Sequence, residues 1–206
     1  TDKAAVVTGS SRGLGLASAP ALIAEGARVC ICARGADRLK EAVAELRTVG
    51  QVEDDTDTRV VGIVAAMSSE AGVMRVIEGA LEALGRLDIL VNNAGSNCPG
   101  DSQSISIDEW DQLIGLNLRS VFVATKLAVP HLKKSDCGRI IQISSVNAFG
   151  GGAGPPYASA KAALVNMVRD LAIELGPENI TVNAICPGYI ETALQDYATP
   201  ELIEQC

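Results

Sequence analysis

Two residues four positions apart, Tyr157 and Lys161 in "PPYASAK", have the types and spacing for proton transfer. At i and i+4 they share one side of an α-helix. A phenol titrates near ~10, and a cation within several ångströms lowers that value by ~1 to 3 units, giving an acid or base usable near neutral pH. The same spacing also describes ordinary surface neighbours, so the surroundings decide. A second constellation is "TGSSRGLG" at 8–15. Gly9, Gly13 and Gly15 there suit a tight turn and a close approach of backbone N–H groups to a pyrophosphate at a helix N-terminus. The chain's second strand-like run, the next after that loop, ends in "CICARG", where neutral Ala33 precedes cationic Arg34. In dinucleotide sites an acid at the end of the second strand holds the ribose hydroxyls of NAD, whereas a cation accommodates the 2′-phosphate of NADP. Arg34 and Arg12 together therefore favour NADP(H), with charge-assisted bonds to the phosphate. The alternative is that both are surface charges and NAD(H) is accepted as well.

Other chemistries have less to work with. The chain has one histidine, His131, so a Ser-His-Asp or Cys-His mechanism would rest on that residue alone. The six cysteines form no C-x-x-C pair and no zinc spacing, and Cys30 and Cys32 read as small buried hydrophobes on one face of a strand. No metal site is expected. A formal net charge of −8 opposes binding of nucleic acid or an anionic membrane by the molecule as a whole. No apolar run approaches the roughly 18 residues of a membrane span, and the N-terminus lacks the basic flank and apolar core of a signal peptide, so a cytoplasmic protein is expected.

The elements that must position these residues follow from periodicity. Of 206 residues, 48% are hydrophobic and 20% charged, which suits one folded domain over 1–206. Strand-like runs "AAVVT", "RVCICA", "TRVVGIV", "LDILVN", "GRIIQIS" and "ITVNAI" alternate with helical stretches. The helices end near Glu25, Val49 and Gly85, then run as one or two between Ile107 and Lys134, and from about Pro156 to Leu175. Strands apolar on both faces, each followed by a crossover helix, predict a doubly wound α/β fold: a parallel sheet with helices on both faces, Rossmann-like. The acidic "VEDDTDT" at 52–58 reads as a solvated loop, and Pro20 is expected to remove one hydrogen bond inside the first helix.

The glycine loop, "NNAG" at 92–95, "GLNLRS" around Asn117, "ISS" ending at Ser145, "YASAK" and "PGYIET" at 187–192 stand in one order along essentially the whole chain. This resembles the short-chain dehydrogenase/reductase family. The resemblance implies an oxidoreductase moving a hydride between NADP(H) and a carbonyl or alcohol substrate. Tyr157 would be the general acid/base, Lys161 would lower its pKa and bond the nicotinamide ribose, and Ser145 would polarise the substrate carbonyl. Ser144 is the fallback, since strand alternation points the two serines to opposite faces. Asn117 would hold a water linking Lys161 to solvent; the other reading is a buried asparagine bonded to backbone. The cofactor would lie on Gly9, Ser11, Arg12, Gly13, Leu14, Gly15, Arg34, Asn93, Ala94, Gly95, Tyr157, Lys161, Pro187, Gly188, Ile190 and Thr192. A catalytically silent NADP(H)-binding sensor of the same fold is the alternative function. A homodimer or homotetramer is implied, with the apolar faces of 113–132 and 160–175 pairing across a two-fold axis.

Three features depart from the family pattern. Ala66 stands where the family commonly has an aspartate toward the adenine. The segment "VNAFGGGAGPP" between Ser145 and Tyr157 is slightly short and rich in glycine. After the helix-like "TPELIEQC", family members continue to a last strand, so this chain is expected to be a truncated form rather than a reduced member.

Overall fold

Six apolar runs pair into one parallel sheet: β1 Ala4–Val7, β2 Arg28–Ala33, β3 Val60–Val64, β4 Ile89–Asn92, β5 Gly138–Ile143 and β6 Ile180–Ile185. The strand order is β3-β2-β1-β4-β5-β6. These are the six runs expected from the sequence. The computed structural model describes residues 2–52, 57–98 and 100–192. The helix-like tail "TPELIEQC" and the centre of the acidic loop at 52–58 lie outside them.

Strand alternation sends neighbouring side chains to two separate cores. Ala4 and Val6 of β1, with Cys30 and Cys32 of β2, pack beneath α3 (Glu70–Leu84), α5 (Ser120–Leu132) and α7 (Pro155–Leu175). Ala5, Val7, Val29 and Ile31 face the opposite way, under α1 (Gly13–Ala24) and α2 (Ala36–Val49). This is the doubly wound arrangement. Both cysteines are fully buried, and loss of water around them raises their thiol pKa values, that of Cys32 to about 11. Such thiols behave as small hydrophobes.

Helix ends are set by local chemistry. Ser69 caps α3 by accepting the Gly72 N–H at 3.1 Å, and Gly85 closes that helix in the left-handed region. Ser106 and Glu109 form a reciprocal capping box at α4 (Ile107–Ile114). Pro20 lies inside α1, as expected, and the helix continues through it to Ala24.

One expectation needs correction. Ile107–Leu132 forms a single helical stretch that is long and apolar enough, by length and composition alone, to cross a membrane. Arg119 and Lys126 interrupt the apolar run and hide it from a simple reading. In the fold this stretch is the crossover between β4 and β5, and Leu113, Val121, Ala124, Ala128 and Leu132 bury its inner face.

The strand order reverses between β1, whose sequence successor β2 lies on one side, and β4 on the other. Open α/β sheets bind ligands at the carboxyl ends of strands beside such a reversal. The glycine loop leaves β1 there, and "NNAG" leaves β4.

Candidate active site

The loop after β1 has the shape of an anion cradle. Gly9 and Gly13 adopt φ of +63° and +56°, a region that side-chain-bearing residues rarely enter. A Cβ on Gly15 would stand 2.5 Å from Asn93 Nδ2 and 2.9 Å from the Gly9 carbonyl, so only glycine fits. Arg12 is the N-cap of α1 and offers no side-chain cap, which leaves the first N–H groups of that helix open to an anion. Ser11 and Leu14 lie half-buried along the same loop. Thr192 closes the far side, its Cγ2 3.6 Å from where a Cβ of Gly13 would be. The backbone conformation, excluded side chains and open helix end fit a dinucleotide phosphate.

Two residues passed over in the sequence hold this cradle. Thr8 Oγ1 accepts the N–H groups of Asn93 and Ala94, each at 3.0 Å. Ser10 Oγ accepts the Cys32 N–H at 3.1 Å, and Ser10 N–H donates to the Cys32 carbonyl at 3.0 Å, which tie the loop to β2. In return the Asn93 side-chain amide donates to the carbonyls of Thr8 at 2.8 Å and Gly9 at 3.0 Å. The motif "TGSSRG" signals glycines; the hydroxyls between them carry no separate signal.

Arg34 follows β2, the strand adjacent to β1, so it and Arg12 stand on neighbouring loops at the same end of the sheet. Both side chains are exposed, and among the described residues neither guanidinium makes an ion pair or hydrogen bond. Ala66 follows β3, half-buried, and its carbonyl accepts the Ser69 N–H.

Tyr157 and Lys161 lie in the first turns of α7, whose start is fixed by Pro155 and Pro156 behind Gly154. Both side chains are buried. The Lys161 ammonium sits 5.4 Å from the Tyr157 ring centroid and donates to the Ile143 carbonyl at 2.7 Å. Burial disfavours its charged form and lowers its pKa to about 8.

The two serines after β5 are separated by packing. Ser144 Oγ donates to the Lys161 carbonyl at 2.8 Å and is committed to the backbone of α7. Ser145 Oγ accepts the Asn147 N–H at 3.2 Å, and its own proton has no acceptor among the described residues. A hydroxyl in that state can donate to a ligand oxygen. Val146 N–H bonds the Pro187 carbonyl at 3.0 Å, which brings the segment 187–192, with Gly188 and Ile190, alongside Ser145.

Asn117 shows the backbone-bonded arrangement. Its amide donates to the carbonyls of Ser96 at 2.9 Å and Leu113 at 3.0 Å, and its Oδ1 accepts the Ser96 N–H at 3.2 Å. It lies in a π-helical turn, Gly115–Arg119, where Ser120 N–H reaches back to Gly115. Such turns occur often at functional sites. The missing Cβ of Gly95 marks a point 2.7 Å from Asn117 Oδ1 and 3.7 Å from Lys161 Nζ. A side chain there would enter the space shared by the two polar heads. Gly95→Ala is expected to destabilise the protein by about 1 to 3 kcal/mol through overpacking, measured as a lower urea midpoint at unchanged slope.

The glycine-rich segment before Tyr157 uses its glycines for backbone shape. Gly151, Gly152 and Gly154 have φ of +74°, +95° and +86°, turning the chain from the one-turn helix α6 (Asn147–Gly150) into α7. Gly154 packs against the backbone of the 98–105 loop, its missing Cβ 3.0 Å from the Gly100 carbonyl.

A family model described as short chain dehydrogenase matches residues 3–202. The chain belongs to the short-chain dehydrogenase family. Members of the short-chain dehydrogenase family are oxidoreductases that use NAD(P)(H). The chain is 38% identical over 195 residues to a hydroxy(phenyl)methylsuccinyl-CoA dehydrogenase subunit of Thauera aromatica, covering 95% of this chain and 76% of that one. It is 38% identical over 191 residues to a 3-oxoacyl-(acyl-carrier-protein) reductase of Salmonella typhimurium, covering 92% and 74%. A short-chain dehydrogenase of Burkholderia cenocepacia, solved in complex with NADP, superposes with a TM-score of 0.88 at 36% identity, covering 98% of this short-chain dehydrogenase and 80% of the other.

Proposed function

We propose that this chain catalyses the reversible reduction of a ketone or aldehyde to an alcohol with NADP(H), using Tyr157 as general acid/base. The observation that carries the reading is the buried Tyr157 ring with the Lys161 ammonium 5.4 Å from its centroid, at the strand ends beside an anion cradle. A bound nicotinamide dinucleotide would supply or receive the hydride. Tyr157 gives a proton to the substrate oxygen in reduction and takes it back in oxidation. Ser145 donates its free hydroxyl proton to the same oxygen, holding it and drawing off developing negative charge. With a pKa of about 8, Lys161 is mostly charged at neutral pH, and its field favours the phenolate form of Tyr157. The amide donors of Asn117 are taken by backbone, and its Oδ1, which accepts one N–H and has a second lone pair, holds the water that connects Lys161 with solvent in the space beside Gly95.

On the cofactor side, the loop of Gly9, Ser11, Arg12, Gly13, Leu14 and Gly15 takes the pyrophosphate. Asn93, Ala94 and Gly95 border the ribose, and Pro187, Gly188, Ile190 and Thr192 border the nicotinamide. Arg12 and Arg34 receive the 2′-phosphate. Arg34→Ala is expected to weaken NADPH binding about 10- to 100-fold while leaving NADH binding unchanged, since a charge-assisted bond contributes about 1.5 to 3 kcal/mol. An unchanged ratio of the two affinities would sink the arginine assignment. Residues 1–206 work as one dinucleotide-binding and catalytic domain in a cytoplasmic enzyme, and pairing of α5 and α7 across a two-fold axis is supported by the exposure of Phe122 (50%) and Ile173 (78%).

The reading is tested by NADPH oxidation across a panel of ketones and aldehydes. Tight NADPH binding without oxidation by any carbonyl compound would favour the silent sensor instead.

A further inference from the structure

Resting on the proposed roles of Tyr157 and Ser145, we propose that the substrate is uncharged and apolar next to its reacting carbon, and that a carboxylate or phosphate at that position is rejected. Two segments flank Ser145, joined by the Val146 to Pro187 hydrogen bond. They present Val146, Phe149, Tyr189 and Ile190 to solvent, with Phe149 71% exposed. Large apolar side chains concentrated on the loops around a polar catalytic group are a surface made for contact.

The distribution of charge points the same way. Between Asn93 and Leu118, between Ile140 and Ala160, and between Asn183 and Thr192, the sequence holds no lysine, arginine or histidine. These three segments supply the loops beside Ser145 and Tyr157. Of the cations that adjoin them in sequence, Lys161 is buried with its ammonium against the Ile143 carbonyl, Arg119 pairs with Glu70, and Arg139 donates to the Gly138 carbonyl. An anionic group beside the substrate carbonyl would thus lose water without gaining a partner, which costs several kcal/mol.

Two acids on the same loops are already occupied. The Asp101 carboxylate accepts the N–H groups of Gln103 and Ser104, each at 2.9 Å, and the Ser104 hydroxyl at 3.0 Å. Glu109 is held by Ser106 in the α4 capping box and also accepts the Cys98 thiol. These two acids are held by their own turns; the exposed Glu191 beside Ile190 adds a negative charge near the site, which opposes an anionic substrate further and leaves apolar contact as the attraction the loops offer.

The test uses a pair, ethyl benzoylformate and benzoylformate, which share the ketone and the aryl group and differ in having an uncharged ethyl ester or a carboxylate beside the reacting carbon. The full chain saturated with NADPH is assayed for cofactor oxidation and, separately, for a ligand-induced rise in melting temperature. The ester is expected to exceed the acid at least about 100-fold in kcat/KM, and to raise the melting temperature at concentrations where the acid does not. Val146→Lys, which adds a cation to the apolar wall, is expected to narrow that ratio about tenfold by improving the acid. Equal turnover or equal binding of the two compounds would overturn the proposal, and so would an ester that neither binds nor reacts. An ester that stabilises the protein without being reduced would support the apolar site and count against the catalytic reading of Tyr157.

Discussion

Tyr157→Phe is expected to lower turnover about 10²- to 10⁴-fold on any carbonyl compound the protein reduces, with little change in NADPH affinity or folding. The substitution removes one hydroxyl and keeps the ring, so the packing of α7 and the position of Lys161 against it are preserved. What disappears is the proton donor at the substrate oxygen. Ser145 keeps its hydroxyl and can still orient that oxygen, which leaves residual activity above the uncatalysed rate. Steady-state rates with purified wild type and variant, together with an NADPH titration of each, separate the two outcomes. Turnover within a few-fold of wild type would remove Tyr157 from the reaction.

Lys161→Met is expected to abolish activity and, at the same time, to change how stability depends on pH. In the folded protein the ammonium is buried and its pKa is lowered from 10.5 to about 8. Below pH 8 both folded and unfolded chains carry the proton, and the full cost of burying the charge is present. Between pH 8 and 10.5 the unfolded chain holds the proton more tightly, so the folded state gains relative stability as pH rises. The wild type should therefore gain about 2 kcal/mol relative to Lys161→Met between about pH 7 and pH 9.5. Taking the difference between the two proteins cancels the other groups that titrate in this range. The methionine loses the bond to the Ile143 carbonyl at every pH, which shifts the offset between the curves and not their relative slope. Urea unfolding at several pH values measures it, and parallel curves would mean that Lys161 is not a buried cation. A buried cation that costs stability fits the role proposed for Lys161.

The fold was legible because the inner strands β1, β2 and β4 are apolar on both faces. Val29 and Ile31 of β2 enter one core while Cys30 and Cys32 enter the other, and both sets show as one continuous apolar run. The crossover helices and the glycine turns fall between such runs, so the element order could be counted. The 107–132 stretch was harder. Its charged residues break the apolar run, whereas three-dimensional packing requires only that one face be apolar, and that face returns every three or four residues.

At the candidate site, the sequence alone determined the inventory: a glycine loop after the first strand, two arginines beside it, and a tyrosine and lysine one turn apart behind two prolines. These are properties of residue type and short spacing, which local rules of helix and turn geometry turn into directions in space. Tertiary structure decided everything that depends on who sits opposite. It separated Ser145 from Ser144 by giving the latter's hydroxyl to the backbone of α7. It assigned Asn117's amide to Ser96, twenty-one residues away, and made Thr8 the acceptor for two N–H groups beyond β4. It also buried Lys161 and moved its pKa, because desolvation belongs to the packed interior and not to any stretch of chain.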